Sequence, residues 1–376
     1  MKEIARKGVV KIIWNGKDIT TDVSKYISSI SYTDHEEGMS DEATFTFDNS
    51  TQIWSEDWYP TQGDTIELYM GYNDKIFKCG LFEVDEIVLA GPPNTIEIKT
   101  IAAGITKALR TRNNHAFEAQ TLRQIALYFC NKHGFTLVDN SSLMSQINVE
   151  RKTQENKTDL AFLSEIAKEY GLIFSLRGSK LQFTSYYDLD NAEATKDIDV
   201  TNMGSYSIKE KTYDTYASAE FVARNKKKGK IVKSTVTAVS LNGNITVKDV
   251  YKTKGSGKNT QQGERKNYAG LWNKNKFKQT CTVNGMEGDP ELEAGINFNL
   301  TGIGLGSGKY HLVSTTHTIS GDSAYTMDLD MRKTGTIPKA KRVPKIGGTK
   351  AKKKKKKSTG SSISLFGGSQ ESDGED

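Results

Sequence analysis

Over the first hundred residues apolar and polar side chains alternate in short runs, at 9–14, 27–32, 43–47, 65–70, 75–88 and 94–101. A period of two lays one face of a strand on a core. Asn15-Gly16, ahead of Lys17-Asp18-Ile19-Thr20, is a hairpin signal, because both residues accept positive φ. Six strands joined by short polar turns read as an all-β barrel or sandwich.

After Gly104 the period lengthens to about 3.6. Thr121-Leu122-Arg123-Gln124 is a capping-box pattern, and Leu122, Ile125, Ala126, Phe129 and Cys130 form one apolar stripe that Gly134 ends. A second helix is expected over 158–170, with Leu160, Leu163, Ile166, Ala167 and Tyr170 inward and Gly171 as its stop. It runs into the strand 172–176, a turn at 177–180 and a return strand at 181–184. Both helices end in glycine and feed a short strand, which is either the economy of an αβ unit or a faint duplication.

From Ser205 the strands resume, at 206–209, 217–223, 231–239 and 245–247, with a polar loop over 252–262 and a short helix over 263–276. Tyr268, Leu271 and Trp272 are the apolar contacts of that helix, Trp272 serving equally well as a surface anchor. Four alternating strands between glycine-rich turns then fill 277–283, 296–300, 309–319 and 324–332, the pattern of a second small barrel. The fold expected is mainly β with an α/β insert: a β-barrel over 1–104, an α/β domain over 105–200, a second β-barrel over 201–335 and a mobile tail over 336–376. The tail has few residues to bury.

Composition adds little, with 36% hydrophobic and 26% charged residues among 376. No run approaches the length of a membrane span and the N-terminus lacks the apolar core of a secretory signal, so the chain is expected to be made in a cytoplasm. Charge is segregated. Residues 1–100 carry 18 Asp and Glu against 9 Lys and Arg, whereas 222–280 carry 15 Lys and Arg against 2 acids. Such asymmetry points to partners at different faces.

Arg224, Lys226, Lys227, Lys228 and Lys230 form one basic cluster, and Lys352, Lys353, Lys354, Lys355, Lys356 and Lys357 another. These are candidate contacts for an acidic protein partner, the preferred reading, or for a polyanion such as nucleic acid. No groove-reading helix or aromatic platform accompanies them.

Catalytic signatures are missing from the sequence, and no catalytic, metal or cofactor residue is assigned. Cys79, Cys130 and Cys281 are odd in number and far apart, unlike a disulfide or zinc framework. His311 and His317 face one side of a predicted strand, but about 20 Å of extended chain separates them. Gly302-Ile303-Gly304-Leu305-Gly306 has neither the lysine nor the helix of a phosphate loop and reads as a hairpin turn.

One combination is more specific. Gly288-Asp289-Pro290 with Leu292, Ala294 and Gly295, then Tyr310, then His317 with Ile319-Ser320-Gly321, then Tyr325-Thr326-Met327-Asp328-Leu329, resembles the phage late control D family. These are tail hub proteins of contractile phages and related injection machines. The N-terminal hairpin, the 43–47 strand, Gly63–Tyr69 as G-D-T-I-E-L-Y and Cys79–Asp85 as C-G-L-F-E-V-D are similar too, so the resemblance covers roughly 9–333.

It implies a non-enzymatic homotrimer in which each chain contributes two similar barrels to a pseudo-six-fold ring. Such a ring adapts a hexameric tail tube to a trimeric spike at a baseplate, with other baseplate components and the tape measure protein as further partners. His317 would then serve packing or hydrogen bonding. A baseplate-associated cell-wall hydrolase and a basic nucleic-acid-binding module are the alternatives.

Overall fold

The computed structural model describes residues 7–335 apart from 38–39, 73–74, 104–106, 142, 225–230, 238–249 and 257–259. The first hundred residues form β1 (Gly8–Trp14), β2 (Lys17–Asp18), α1 (Thr20–Val23), β3 (Ile27–His35), β4 (Glu42–Asp48), β5 (Thr65–Tyr72), β6 (Lys75–Ala90) and β7 (Thr95–Ala102). Alternation does what it promised. Ala43, Phe45 and Phe47 of β4 point inward beside Ile30, Ile66, Leu68, Ile96 and Ile98. Burying each large apolar side chain contributes about 1.5–3 kcal/mol. Phe47 stacks on Trp54 with ring centroids 4.3 Å apart.

The next stretch holds α2 (Lys107–Arg110), β8 (Arg112–Thr121), α3 (Leu122–His133), β9 (Thr136–Asp139), β10 (Asn148–Thr158), α4 (Asp159–Glu169), β11 (Leu172–Arg177), β12 (Lys180–Ser185) and α5 (Tyr186–Asn191). The capping box of α3 is present: the Gln124 N–H donates to Thr121 Oγ1 at 3.2 Å and the Thr121 N–H to Gln124 Oε1 at 2.8 Å. Gly134 ends the helix at φ 72°. Antiparallel β8 and β10 escaped the sequence reading. Of their side chains only Phe117 and Val149 are large, apolar and buried, so no alternation marks them.

The remainder comprises β13 (Lys196–Asp199), β14 (Ser205–Glu210), β15 (Ser218–Arg224), β16 (Ile231–Thr237), β17 (Val250–Ser256), α6 (Thr260–Asn275), β18 (Gln279–Glu287), β19 (Asn297–Thr301), β20 (Gly308–Ser320) and β21 (Tyr325–Gly335). Of the loop expected over 252–262, residues 252–256 are instead the end of β17 and 260–262 the start of α6. Its V-Y-K-T-K-G-S sequence, which lacks apolar alternation, pairs in parallel with β15. The expected strand at 245–247 and the tail at 336–376 lie outside the described residues.

The two closed barrels expected from the alternation are not found among the described residues. The strands instead form one sheet of thirteen, running β14-β18-β21-β20-β3-β4-β7-β6-β5-β1-β2, with β19 bonded to β20 and β13 to β19. The reason is β20. It bonds β21 along one edge, while its other edge bonds β19 near its start and β3 from Ser314 to Ser320. The two halves thus join through a strand rather than each closing on itself. Alternation reveals which face is buried but not which strand lies alongside. Separate cores lie under the two halves, one around Ile30, Phe45 and Phe82, the other around Val283, Phe298, Tyr310 and Leu329. A third fills the α/β unit around Phe117, Phe129 and Phe162.

Candidate functional site

The two halves of the sheet are built to one pattern. In the first, β3 pairs β4, β4 pairs β7, β7 pairs β6 and β6 pairs β5, all antiparallel. In the second, β14 pairs β18, β18 pairs β21, β21 pairs β20 and β20 pairs β19, again all antiparallel. Chain order and spatial order correspond strand for strand.

The registers correspond too. Val84 lies opposite Thr100 and Glu86 opposite Lys99, with a bulge between; Leu312 lies opposite Met331 and Ser314 opposite Asp330, with a bulge at the same place. Ahead of each bulge Phe82 faces Ile66 and Tyr310 faces Phe298. Gly63 at φ 91° donates its N–H to Val84 O at 3.0 Å, and Gly295 at φ 92° donates to Leu312 O at 2.8 Å. Both positions suit glycine because a side chain disfavours that φ.

The remaining signature residues support this second unit. The Gly288 N–H donates to Tyr325 O at 2.9 Å, and a Cβ on Gly288 would lie 2.4 Å from the Tyr325 ring. Asp289 accepts the Glu291 N–H at 3.1 Å across the turn at Pro290 and pairs with Lys196. Tyr310 is fully buried, its hydroxyl donating to Gly306 O at 2.7 Å. Gly321 donates its N–H to Ser28 O at 2.9 Å, binding the β20–β21 turn to the first unit. His317 is buried, with Nδ1 2.7 Å from the Tyr325 hydroxyl, and burial pushes its pKa down to about 4. The ring is therefore neutral, and the direction of this hydrogen bond follows its tautomer.

Beside the first unit a cavity of about 560 Å³ opens toward the α/β unit, lined among others by Asp34, Asp41, Cys79, Arg177 and His317. Arg177, the last residue of β11, donates to Asp34 Oδ1 and to Ala294 O, each at 3.3 Å. Asp34 Oδ2 accepts the Ala294 N–H at 2.8 Å. Burial, and then the charge of Asp34, push Asp41 up to about 7. Burial also holds the Cys79 thiol well above its ordinary range. This is a clamp: one guanidinium ties the α/β unit to both halves of the sheet.

Deeper, His311 places Nε2 2.6 Å from Glu36 Oε1 and Nδ1 2.6 Å from Asn297 Oδ1. The Asn297 amide donates to Leu189 O and Ala192 O, so Oδ1 is the acceptor and His311 Nδ1 carries a proton. Arg332, buried at 2% exposure, pairs with Asp190 at 2.6 Å, and Trp272 donates its indole N–H to the same carboxylate at 2.7 Å. Trp272 also stacks on Tyr186 at 4.2 Å, so it is an internal contact of α6 rather than a surface anchor. Among the described residues no three His, Cys, Asp or Glu side chains converge as metal ligands.

The basic candidates fare differently. Arg224 is the last residue of β15, whereas Lys226, Lys227, Lys228, Lys230 and Lys352–Lys357 lie outside the described residues. Asp34, Asp41, Glu36 and Arg177 carry no signal in the sequence that marks them as a group. Carboxylates at 34–41 look like any acidic turn, and their arginine comes from another element.

No family model matches the chain. In sequence it is similar to the probable baseplate hub protein of Escherichia phage 186, 25% identical over 170 residues, which is 45% of this chain and 43% of that protein. The probable baseplate hub protein of Escherichia phage P2 is 23% identical over 173 residues, 46% of this chain and 44% of that protein. The matched stretch thus spans less than half the length of these relatives. In fold the chain is similar to the 43 kDa tail protein of prophage MuSo2 from Shewanella oneidensis, with a TM-score of 0.64 at 14% identity, covering 87% of this chain and 98% of that one. The chain resembles phage baseplate hub proteins in sequence and a phage tail protein in fold.

Proposed function

We propose that this chain is the structural hub of a contractile phage or phage-tail-like baseplate, a homotrimer without catalytic function that adapts a hexameric tail tube to a trimeric spike. The observation that carries the reading is the repeated five-strand pattern, with its bulge and its left-handed glycine in the same register in both units. Three chains with two like units each present six like surfaces, which is what a six-fold tube requires, while three-fold features remain for a spike. The units at 1–104 and 201–335 would form the ring and 105–200 its outer insert. Class averages of the purified protein viewed down its symmetry axis are expected to show a three-fold ring with six similar lobes. A monomer at micromolar concentration that forms no ring with tube or spike protein would overturn the proposal.

A further inference from the structure

Resting on the reading that copies of this chain assemble, we infer that the ring closes by backbone pairing between β14 of one copy and the distal half of β6 of the next. The template is inside the chain, where the second unit joins the first by pairing β20 with β3: Ser314 faces His35, Thr316 faces Thr33 and His317 faces Tyr32. By the repeat, β6 is the counterpart of β20 and β14 the counterpart of β3.

Both counterparts have a vacant edge among the described residues. β14 ends the strand order and bonds only β18. β5 covers β6 only as far as Glu83, leaving 86–90 bonded to β7 alone. Vacant edges of this kind are templates for another strand.

Transposing the internal register fixes the new one. The bulge sets Glu86 in the place of Ser314, so Val88 takes that of Thr316 and Leu89 that of His317. Tyr32 lies opposite Ala43 and Ile208 opposite Cys281, which sets Ile208 in the place of Tyr32 and Lys211 in that of His35. Glu86 then meets Lys211, Val88 meets Lys209 and Leu89 meets Ile208.

The chemistry of the edges agrees. Leu89 and Tyr206, both 47% exposed, are large apolar side chains on otherwise open strands. Acidic Glu86 meets basic Lys211, although Glu86 now pairs with Lys99 at 3.1 Å and its neighbour Asp85 with Arg110 at 2.9 Å. Asp85 O, which accepts from the Gln62 amide at 3.2 Å, holds the place of Val313 O, which accepts the Glu36 N–H at 3.0 Å. The contact is heterologous and repeats around an axis, so it closes once the internal and external junctions alternate.

The internal pair Thr33 and Thr316 brings its hydroxyls within 3.0 Å, a separation that two cysteines at the equivalent positions would bridge. In the full chain, the Val88→Cys/Lys209→Cys double variant under mild oxidation is expected to give covalent trimers on non-reducing gels, and neither single variant should. Lys211→Glu is expected to weaken assembly at least tenfold, and Glu86→Lys added to it to recover most of the loss. Rings from the double-cysteine protein without covalent trimers would overturn this pairing and leave the hub reading standing. Absence of rings from the unsubstituted protein would overturn both.

Discussion

Arg177 and Asp34 meet at 3.3 Å across 143 residues of sequence, and the carboxylate is only 5% exposed. Removing the guanidinium strands a buried charge left with the Ala294 N–H and the Asp41 carboxyl as partners. Breaking a buried pair from one side costs about 3–5 kcal/mol. Because Arg177 itself is 39% exposed, Arg177→Met is expected at the lower end of that range in urea unfolding. Adding Asp34→Asn should restore part of the loss, a recovery that a packing defect at Arg177 alone would not give.

Two buried groups give opposite slopes of stability with pH. Asp41, pushed from 3.8 up to about 7, keeps a proton that the unfolded chain releases, so its contribution is full below 3.8 and lost as pH rises through 7. His317, pushed from 6.5 down to about 4, contributes fully above 6.5 and loses that contribution as pH falls through 4. Unfolding free energies measured from pH 4 to 8 should therefore change slope in opposite senses in Asp41→Asn and His317→Gln. Parallel profiles in the two variants would remove the assignment.

Gly63 and Gly295 each have open space where a Cβ would stand, the nearest atoms being 3.8 and 3.9 Å away. Their φ values of 91° and 92° therefore decide the outcome. Gly63→Ala and Gly295→Ala should each lose about 1–2 kcal/mol, the cost of left-handed backbone for an L-residue. Equal losses at positions in different units would reflect the repeat; stability unchanged at either would not.

Thr121→Ala removes the acceptor for the Gln124 N–H and half of the capping box. The expected loss is about 0.5–2 kcal/mol. Hydrogen exchange should rise first in the opening turn of α3, leaving the sheet protected.

The strands of the first unit, the glycine-stopped helices and the turn chemistry were readable because they depend on periods of two and 3.6 and on local caps. Polar strands were not, since β8 and β10 are held by backbone pairing with few inward apolar residues, and β17 pairs with β15 through a sequence without apolar alternation. The sequence hints at a repeat in the two helix–strand units, whereas the structural repeat lies in the sheet. Phe82 and Tyr310 share no identity, only a place ahead of a bulge. Likewise Arg177 ends a strand whose sequence says nothing about a carboxylate 143 residues away.

Because β20 bonds β3, the first unit cannot be finished by its own stretch of chain. Ile319 and Tyr325 belong to the core around Ile30 and Phe45, and the Thr33–Thr316 contact spans 283 residues. At about 5–20 residues per second of synthesis, β3 waits roughly fifteen seconds to a minute for its neighbour. During that interval its outer edge is open to any strand, including those of other nascent chains. Pairing so distant in sequence is also slow to form. Ribosome-bound N-terminal fragments are thus the species most exposed to mispairing, and the core begun first stays incomplete until Ile319 and Tyr325 are made.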